Sequence, residues 1–179
     1  MGGITALLIK NSIHHHFTPI PTCTFEITTT SIDLPNNKSF TISSIYSPPP
    51  HGKSNTQDMN NLFNLTPKGI AAGNFNSKYP AWSEGRANIN GTIIYNHIAN
   101  NNLVVLAPLE LTHFSYHHLS NNTLDIGIMK NFSVGYATSV NDLSSVGFSF
   151  DIHKTSSKTK QAFIRTLKHI YYIPYLRAS

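Results

Sequence analysis

The sequence predicts an α/β domain with layered sheets. Strand-like runs, apolar or alternating, recur from one end of the chain to the other, and stretches of helical periodicity lie between them. The length of 179 residues is about one domain's worth, and a hydrophobic share of 40% is enough to build a core. No internal repeat and no second globular domain is evident.

In chain order, strands are expected near 4–10, 23–33, 39–47, 69–73, 103–106, 124–129, 134–140 and 146–152. Pro48-Pro49-Pro50 stops the third of these and begins a loop. Helices are expected near 57–65, 89–101 and 158–171. The run Gly69-Ile70-Ala71-Ala72 reads as a buried strand, and Gly73 allows the backbone to turn at its end. Asn74 and Asn76, two apart, project to the same side if the strand continues.

Charged residues make up only 12% of the chain, against about 25% in an average domain. Asparagine, serine and threonine supply the polar surface instead. The formal charge of +5 suits an anionic partner, or solubility alone. Cys23 is the single cysteine, so no internal disulfide forms. No apolar run is long enough to span a bilayer. The first residues carry neither a myristoylation signal nor a secretory pattern. These readings predict an intracellular protein, nuclear or cytoplasmic, with no membrane partner. Sequons such as Asn64-Leu65-Thr66 are then chance occurrences in an asparagine-rich chain.

Gly73-Asn74-Phe75-Asn76-Ser77-Lys78-Tyr79-Pro80-Ala81-Trp82 resembles a segment of the endonuclease/exonuclease/phosphatase superfamily. More narrowly, it is similar to the apurinic-type endonuclease domain of jockey-type non-LTR retrotransposons, where the segment reads Gly-Asp-Phe-Asn-Ala-Lys-His-Pro-x-Trp. Further partial matches follow in family order. They are Gly2-Gly3-Ile4-Thr5-Ala6-Leu7-Leu8-Ile9-Lys10, Ser43-Ser44-Ile45-Tyr46-Ser47-Pro48-Pro49, Asn90-Gly91-Thr92 and Asn102-Leu103-Val104. Thr112-His113-Phe114, Thr123-Leu124-Asp125-Ile126 and Asn141-Asp142-Leu143-Ser144-Ser145 continue the series.

The resemblance implies a four-layer α/β sandwich, two facing β-sheets flanked by helices. It also implies that this chain lacks the family's amino-terminal strand-helix-strand segment, which carries an asparagine and a metal-binding glutamate. Glu26 and Glu84 do not stand at equivalent places. Residues 1–154 would form the domain. Residues 155–179, with Lys158, Lys160, Arg165, Lys168 and Arg177, would be a basic tail or the start of a linker to an absent reverse transcriptase.

In the family, Mg²⁺ and an aspartate ready a water for in-line attack on phosphorus, and amides and a histidine stabilise the developing charge. On this chain the matching positions are Tyr46, Asn74, Asn76, Asp125, Val146 and Gly147. Tyr46 and Asn76 match phosphate contacts, with strand-end aromatic and turn-capping amide as their structural alternatives. Asn74 stands where the family has aspartate, and an amide is no useful base. Aligned without a gap, Val146 replaces a metal-site aspartate and Gly147 replaces the catalytic histidine, which removes the imidazole that Asp125 would orient. The implied reading is a degenerate endonuclease remnant, probed by Mg²⁺ without productive binding and by DNA with weak or residual affinity.

The alternative is a non-catalytic nucleic-acid-binding module using Tyr46, Asn76, Lys78, Trp82 and Thr112. Trp82 reads first as a core residue and second as a base-stacking platform. Lys10, Arg86 and Lys130 are phosphate contacts or an ordinary solvated face. A third reading recruits His113 or His118 as a substitute base, which requires the Thr112–Thr123 loop to fold over Asn74 and Asn76. His14-His15-His16 and His113 with His117-His118 lack the spacing of a zinc site and read as loop residues.

Overall fold

The computed structural model describes residues 5–34, 38–48, 55–108, 113–114, 121–132, 135–142 and 145–152. The elements are β1 (His15–Phe17), β2 (Glu26–Leu34), β3 (Lys38–Tyr46), α1 (Asn55–Asn64), β4 (Gly69–Asn74) and α2 (Ile89–Asn100). They continue as β5 (Val104–Leu106), β6 (His113–Phe114), β7 (Asn121–Asn122), β8 (Asp125–Lys130), β9 (Gly135–Asp142) and β10 (Ser145–Ile152). Six strands form one sheet in the order β1-β2-β3-β4-β8-β5. β3 and β4 run parallel, and the other neighbours are antiparallel. β9 and β10 make a separate hairpin. This is the α/β architecture expected.

The central strands are nearly all apolar or small, as strands covered on both faces must be. Alternation sorts their side chains into two clusters. On the first face, Ile45, Ala71, Phe75, Ile126 and Ile128 pack under Met59, Leu62 and Phe63 of α1 and Ile94 and Ile98 of α2. On the second face, Ile32, Phe40, Ile42, Ile70, Ala72 and Met129 form another cluster with Phe132. Each buried Ile or Phe contributes roughly 1.5–3 kcal/mol by leaving water, so both faces stabilise the sheet.

Residues 5–10 do not form the expected strand; Leu8 alone makes an isolated bridge. Leu7 and Ile9, with Ile13, instead lie on the second face and cover its cluster. Their alternation buries apolar side chains against the sheet's surface, and no ladder at its edge is needed. β1 has no apolar signature, since His15, His16 and Phe17 are all exposed; it exists because it pairs with β2. The expected helix at 158–171 and the tail 155–179 lie outside the described residues, as does Thr112. Among the described residues no helix is long and apolar enough to cross a membrane.

One carboxylate ties the helical layer to the sheet. Asp58, fully buried in α1, accepts hydrogen bonds from the backbone N–H groups of Cys23 (2.6 Å), Thr24 (2.7 Å) and Phe25 (2.9 Å), and from the Thr24 hydroxyl (2.6 Å). The turn entering β2 thus satisfies its amides on a helix side chain, which is how a buried charge is tolerated.

Candidate functional site

Sheet register gathers the chemistry-bearing residues at one end of the second face. Tyr46 stands opposite Asn74 across the parallel β3–β4 pair. Asn74 stands opposite Asp125 across β4–β8. On the other side of Tyr46, Glu26 is its partner across β2–β3. The row therefore reads Glu26, Tyr46, Asn74, Asp125. Alternation puts all of them on the same face as Ile42, Ile70 and Met129. Asn74 and Asp125 are buried, at 8% and 3% exposure. Tyr46 is half-buried.

The backbone turns sharply where β4 ends. Gly73 has φ +146°, and a Cβ there would stand 2.0 Å from the Ile45 carbonyl oxygen of β3, so no side chain fits. Ser47 N–H donates to the Asn74 carbonyl at 2.8 Å. Asn74 Oδ1 in turn accepts the Asn76 N–H at 2.9 Å, an Asx turn. The strand does not continue past Asn74, so simple alternation does not relate Asn74 to Asn76. Asn76 adopts a left-handed conformation, φ 45°, which asparagine tolerates better than most residues. Its Nδ2 donates to the Ser47 carbonyl at 2.5 Å. Phe75 between them is fully buried and meets Phe25 edge-on at 5.9 Å.

Asn88 clamps this turn to α2. Its Nδ2 donates to the Asn76 carbonyl at 2.9 Å, while its Oδ1 accepts from Lys78 N–H at 3.0 Å and from Gly91 N–H at 2.7 Å. The last of these is the N-cap of α2. Gly91 permits the contact: a Cβ there would stand 1.8 Å from the Lys78 carbonyl oxygen. Sequence reading did not single out Asn88, named Gly91 only within the Asn90-Gly91-Thr92 match, and set Glu26 aside. An asparagine just before an apolar helical run is a cap signal and could have flagged Asn88. The other two depend on register and on tertiary approach.

The remaining sequence-derived residues fall as follows. Trp82 is 6% exposed, packs in the core on the helical side and donates from Nε1 to the Ser77 carbonyl at 3.0 Å. That seat serves packing; a base would need an open ring face. Lys78 is half-buried beside the turn. Val146 and Gly147 lie in β10, opposite Asn141 and Val140 in an uninterrupted hairpin ladder. His15 and His16 lie on exposed β1, where His15 Nδ1 is 2.7 Å from the Ile13 carbonyl and His16 Nδ1 is 3.4 Å from Asp33 Oδ2. His113 begins β6, and His117 and His118 lie outside the described residues.

Among the described residues no three His, Cys, Asp or Glu side chains converge. Among the described residues Asp125 is the carboxylate paired with Asn74, and Glu26 lies three strand spacings from Asp125, roughly 14 Å. A dication would meet one carboxylate beside neutral amides, short of the charged oxygen donors it prefers.

A profile of the endonuclease–reverse transcriptase family matches residues 40–145. That span covers β3 to the start of β10, and so Tyr46, Asn74, Asn76, Asn88 and Asp125. No curated protein matches the chain. Among solved structures, the endonuclease domain of TRAS1, a telomere-specific non-LTR retrotransposon, has the same fold. Its TM-score is 0.62 at 15% identity, covering 94% of this chain and 71% of that one.

Proposed function

This chain belongs to the endonuclease–reverse transcriptase family, and from that premise we propose that it is a jockey-like retrotransposon endonuclease domain whose hydrolytic centre no longer turns over. The observation that carries the reading is Asn74. It sits between Tyr46 and Asp125, where in-line attack on a phosphodiester calls for a group that takes a proton from water. A carboxamide does not take that proton, brings no negative charge, and here spends Oδ1 on the Asn76 N–H. Losing a positioned base costs roughly 10²–10⁴ in rate. Valine at 146 and glycine at 147 supply neither carboxylate nor imidazole. Asn76 retains an amide, but its Nδ2 is already directed at Ser47. Productive Mg²⁺ binding is accordingly not part of this reading.

The test is nicking of supercoiled plasmid with Mg²⁺ or Mn²⁺. The chain as it stands is expected to leave the plasmid intact. Nicking that survives repurification and is abolished by EDTA would overturn the reading and direct attention to the histidines after Thr112.

A second reading, binding of nucleic acid without cleavage, draws on charge. The formal balance is +5, and Asp58 and Asp125 are buried, so two of the acidic groups in that balance are withdrawn from solvent. Anisotropy of a labelled duplex would detect it. Binding through phosphates weakens steeply as salt rises, and binding that ignores salt would count against this reading.

A further inference from the structure

Pairing with β2 gives the histidine run at the sheet edge a strand's alternation. His15 stands opposite Ile32 and His16 opposite Ser31. The Asp33 N–H donates to the His14 carbonyl at 3.0 Å, which carries the ladder one residue further. Residues directly opposite each other in a ladder share a face, and so do alternate residues of one strand. His14, His16 and Asp33 therefore stand on one face and His15 on the other. Two contacts agree with this placement: the Thr18 and Ser31 hydroxyls meet at 2.6 Å, and His16 Nδ1 lies 3.4 Å from Asp33 Oδ2. His15 is held elsewhere, its Nδ1 2.7 Å from the Ile13 carbonyl.

The separation of His16 and Asp33 carries chemical information. A charge-assisted hydrogen bond between a ring nitrogen and a carboxylate closes to about 2.7–2.9 Å, and this pair stays open. Two donors each about 2.1 Å from a Zn²⁺ ion, at the tetrahedral angle, stand about 3.4 Å apart. Around an octahedral Mg²⁺ ion the same two donors would stand about 3.0 Å apart. The pair is thus spaced as two corners of a zinc tetrahedron. His14 supplies the third corner from its place opposite Asp33. The three donors do not converge by themselves, and His14 is exposed, so its ring has room to swing toward the other two. The His16 and Asp33 side chains are 61% and 49% exposed, which gives water the fourth position. Two imidazoles, a carboxylate and a water are a zinc donor set; Mg²⁺ prefers oxygen throughout. An ion here would also anchor a strand that has no buried side chain of its own.

We propose that His14, His16 and Asp33 bind one tetrahedral divalent ion, Zn²⁺ by their chemistry, which ties β1 to β2. The site lies at the far end of β2 from Glu26, about 23 Å along the strand. It is therefore independent of whether the Tyr46–Asn74–Asp125 row is catalytic.

The experiment is a calorimetric titration of the full chain with Zn²⁺, repeated with Co²⁺ as a coloured substitute. Saturable binding is expected, with the intense visible absorption of tetrahedral Co²⁺ and no displacement by excess Mg²⁺. His14→Ala, His16→Ala and Asp33→Asn are each expected to weaken Zn²⁺ binding about tenfold or more. His15→Ala, on the opposite face, is expected to leave it unchanged. All four side chains are exposed, so circular dichroism should remain that of the parent. In thermal melts, added Zn²⁺ should raise the midpoint of the parent and of His15→Ala, and much less that of the other three variants. Chelation by the histidine run as a flexible tract gives a different pattern: His15→Ala as damaging as its neighbours, and Asp33→Asn without effect. That pattern, the faint absorption of octahedral Co²⁺, or the absence of saturable binding would overturn the proposal.

Discussion

At the carboxyl end of β4, a turn and a row of side chains use adjacent residues under different constraints. The turn is Gly73, Asn76, Asn88 and Gly91. Each is held by backbone contacts that a different residue would break, at 2.0 Å from Ile45 for Gly73 and 1.8 Å from Lys78 for Gly91. The row of Glu26, Tyr46, Asn74 and Asp125 is aligned by strand register. Nothing in the packing requires a carboxylate at Asn74, because the Asx turn needs only an acceptor oxygen, which either Asn or Asp provides. The contrast teaches that Gly73 and Gly91 are fixed by the space around them, whereas the turn asks of Asn74 only an acceptor oxygen.

The sharpest way to break this comparison is Gly73→Ala. A methyl group against Ile45 forces β4 away from β3 in addition to the strain of positive φ, a loss of about 3 kcal/mol or more. Urea unfolding should report it as a lower midpoint with unchanged slope. A loss below about 1 kcal/mol would mean that the β3–β4 contact is soft. Next is Gly91→Ala. Helix propensity alone favours alanine by about 1 kcal/mol, yet overpacking against Lys78 costs about 1–3 kcal/mol. Net destabilisation in the same assay is expected; stabilisation would show that α2 is free to move from the turn.

Asn74→Asp should keep the Asx turn, since the acceptor oxygen stays, and lose about 1 kcal/mol through repulsion and desolvation beside the buried Asp125. A larger loss would mean that the row, too, is under packing constraint. The smallest effect concerns His97, which belongs to neither region. Burial lowers its folded pKa below 6.5. The unfolded chain therefore takes up the extra proton first as pH falls, so His97's contribution is fully present above about 6.5 and is lost below it. Thermal melts at about pH 7.5 and about pH 5 should differ less in His97→Gln than in the parent. Equal differences would remove His97 as the cause.

The split between turn and row also explains what was legible beforehand. β4 was readable because Ile70-Ala71-Ala72 is an apolar run closed by a glycine, and α2 because its apolar residues recur at helical spacing. β1 was not, because an edge strand of exposed His-His-Phe has no burial pattern to announce it. Residues 4–10 were misread as a strand for the opposite reason: Leu7 and Ile9 alternate, but toward a sheet surface. At the site, the motifs shared with the family pointed to Tyr46, Asn74 and Asp125, and register then aligned them. The entry of Glu26 into the same row follows from the β2–β3 register, which spacing alone does not specify. The clamp by Asn88 likewise joins segments that meet only when the chain is folded.

Trp82 is the only tryptophan in the chain. It is anchored to Ser77 at 3.0 Å and lies 5.4 Å from Tyr79, immediately after the turn. The protein therefore carries its own optical reporter at the junction of β4 and α2. Emission excited at the indole edge should be that of a shielded ring, accessible to iodide only when this junction opens. Quenching followed through a denaturant series would separate local loosening of the turn from unfolding of the whole sheet, without a label.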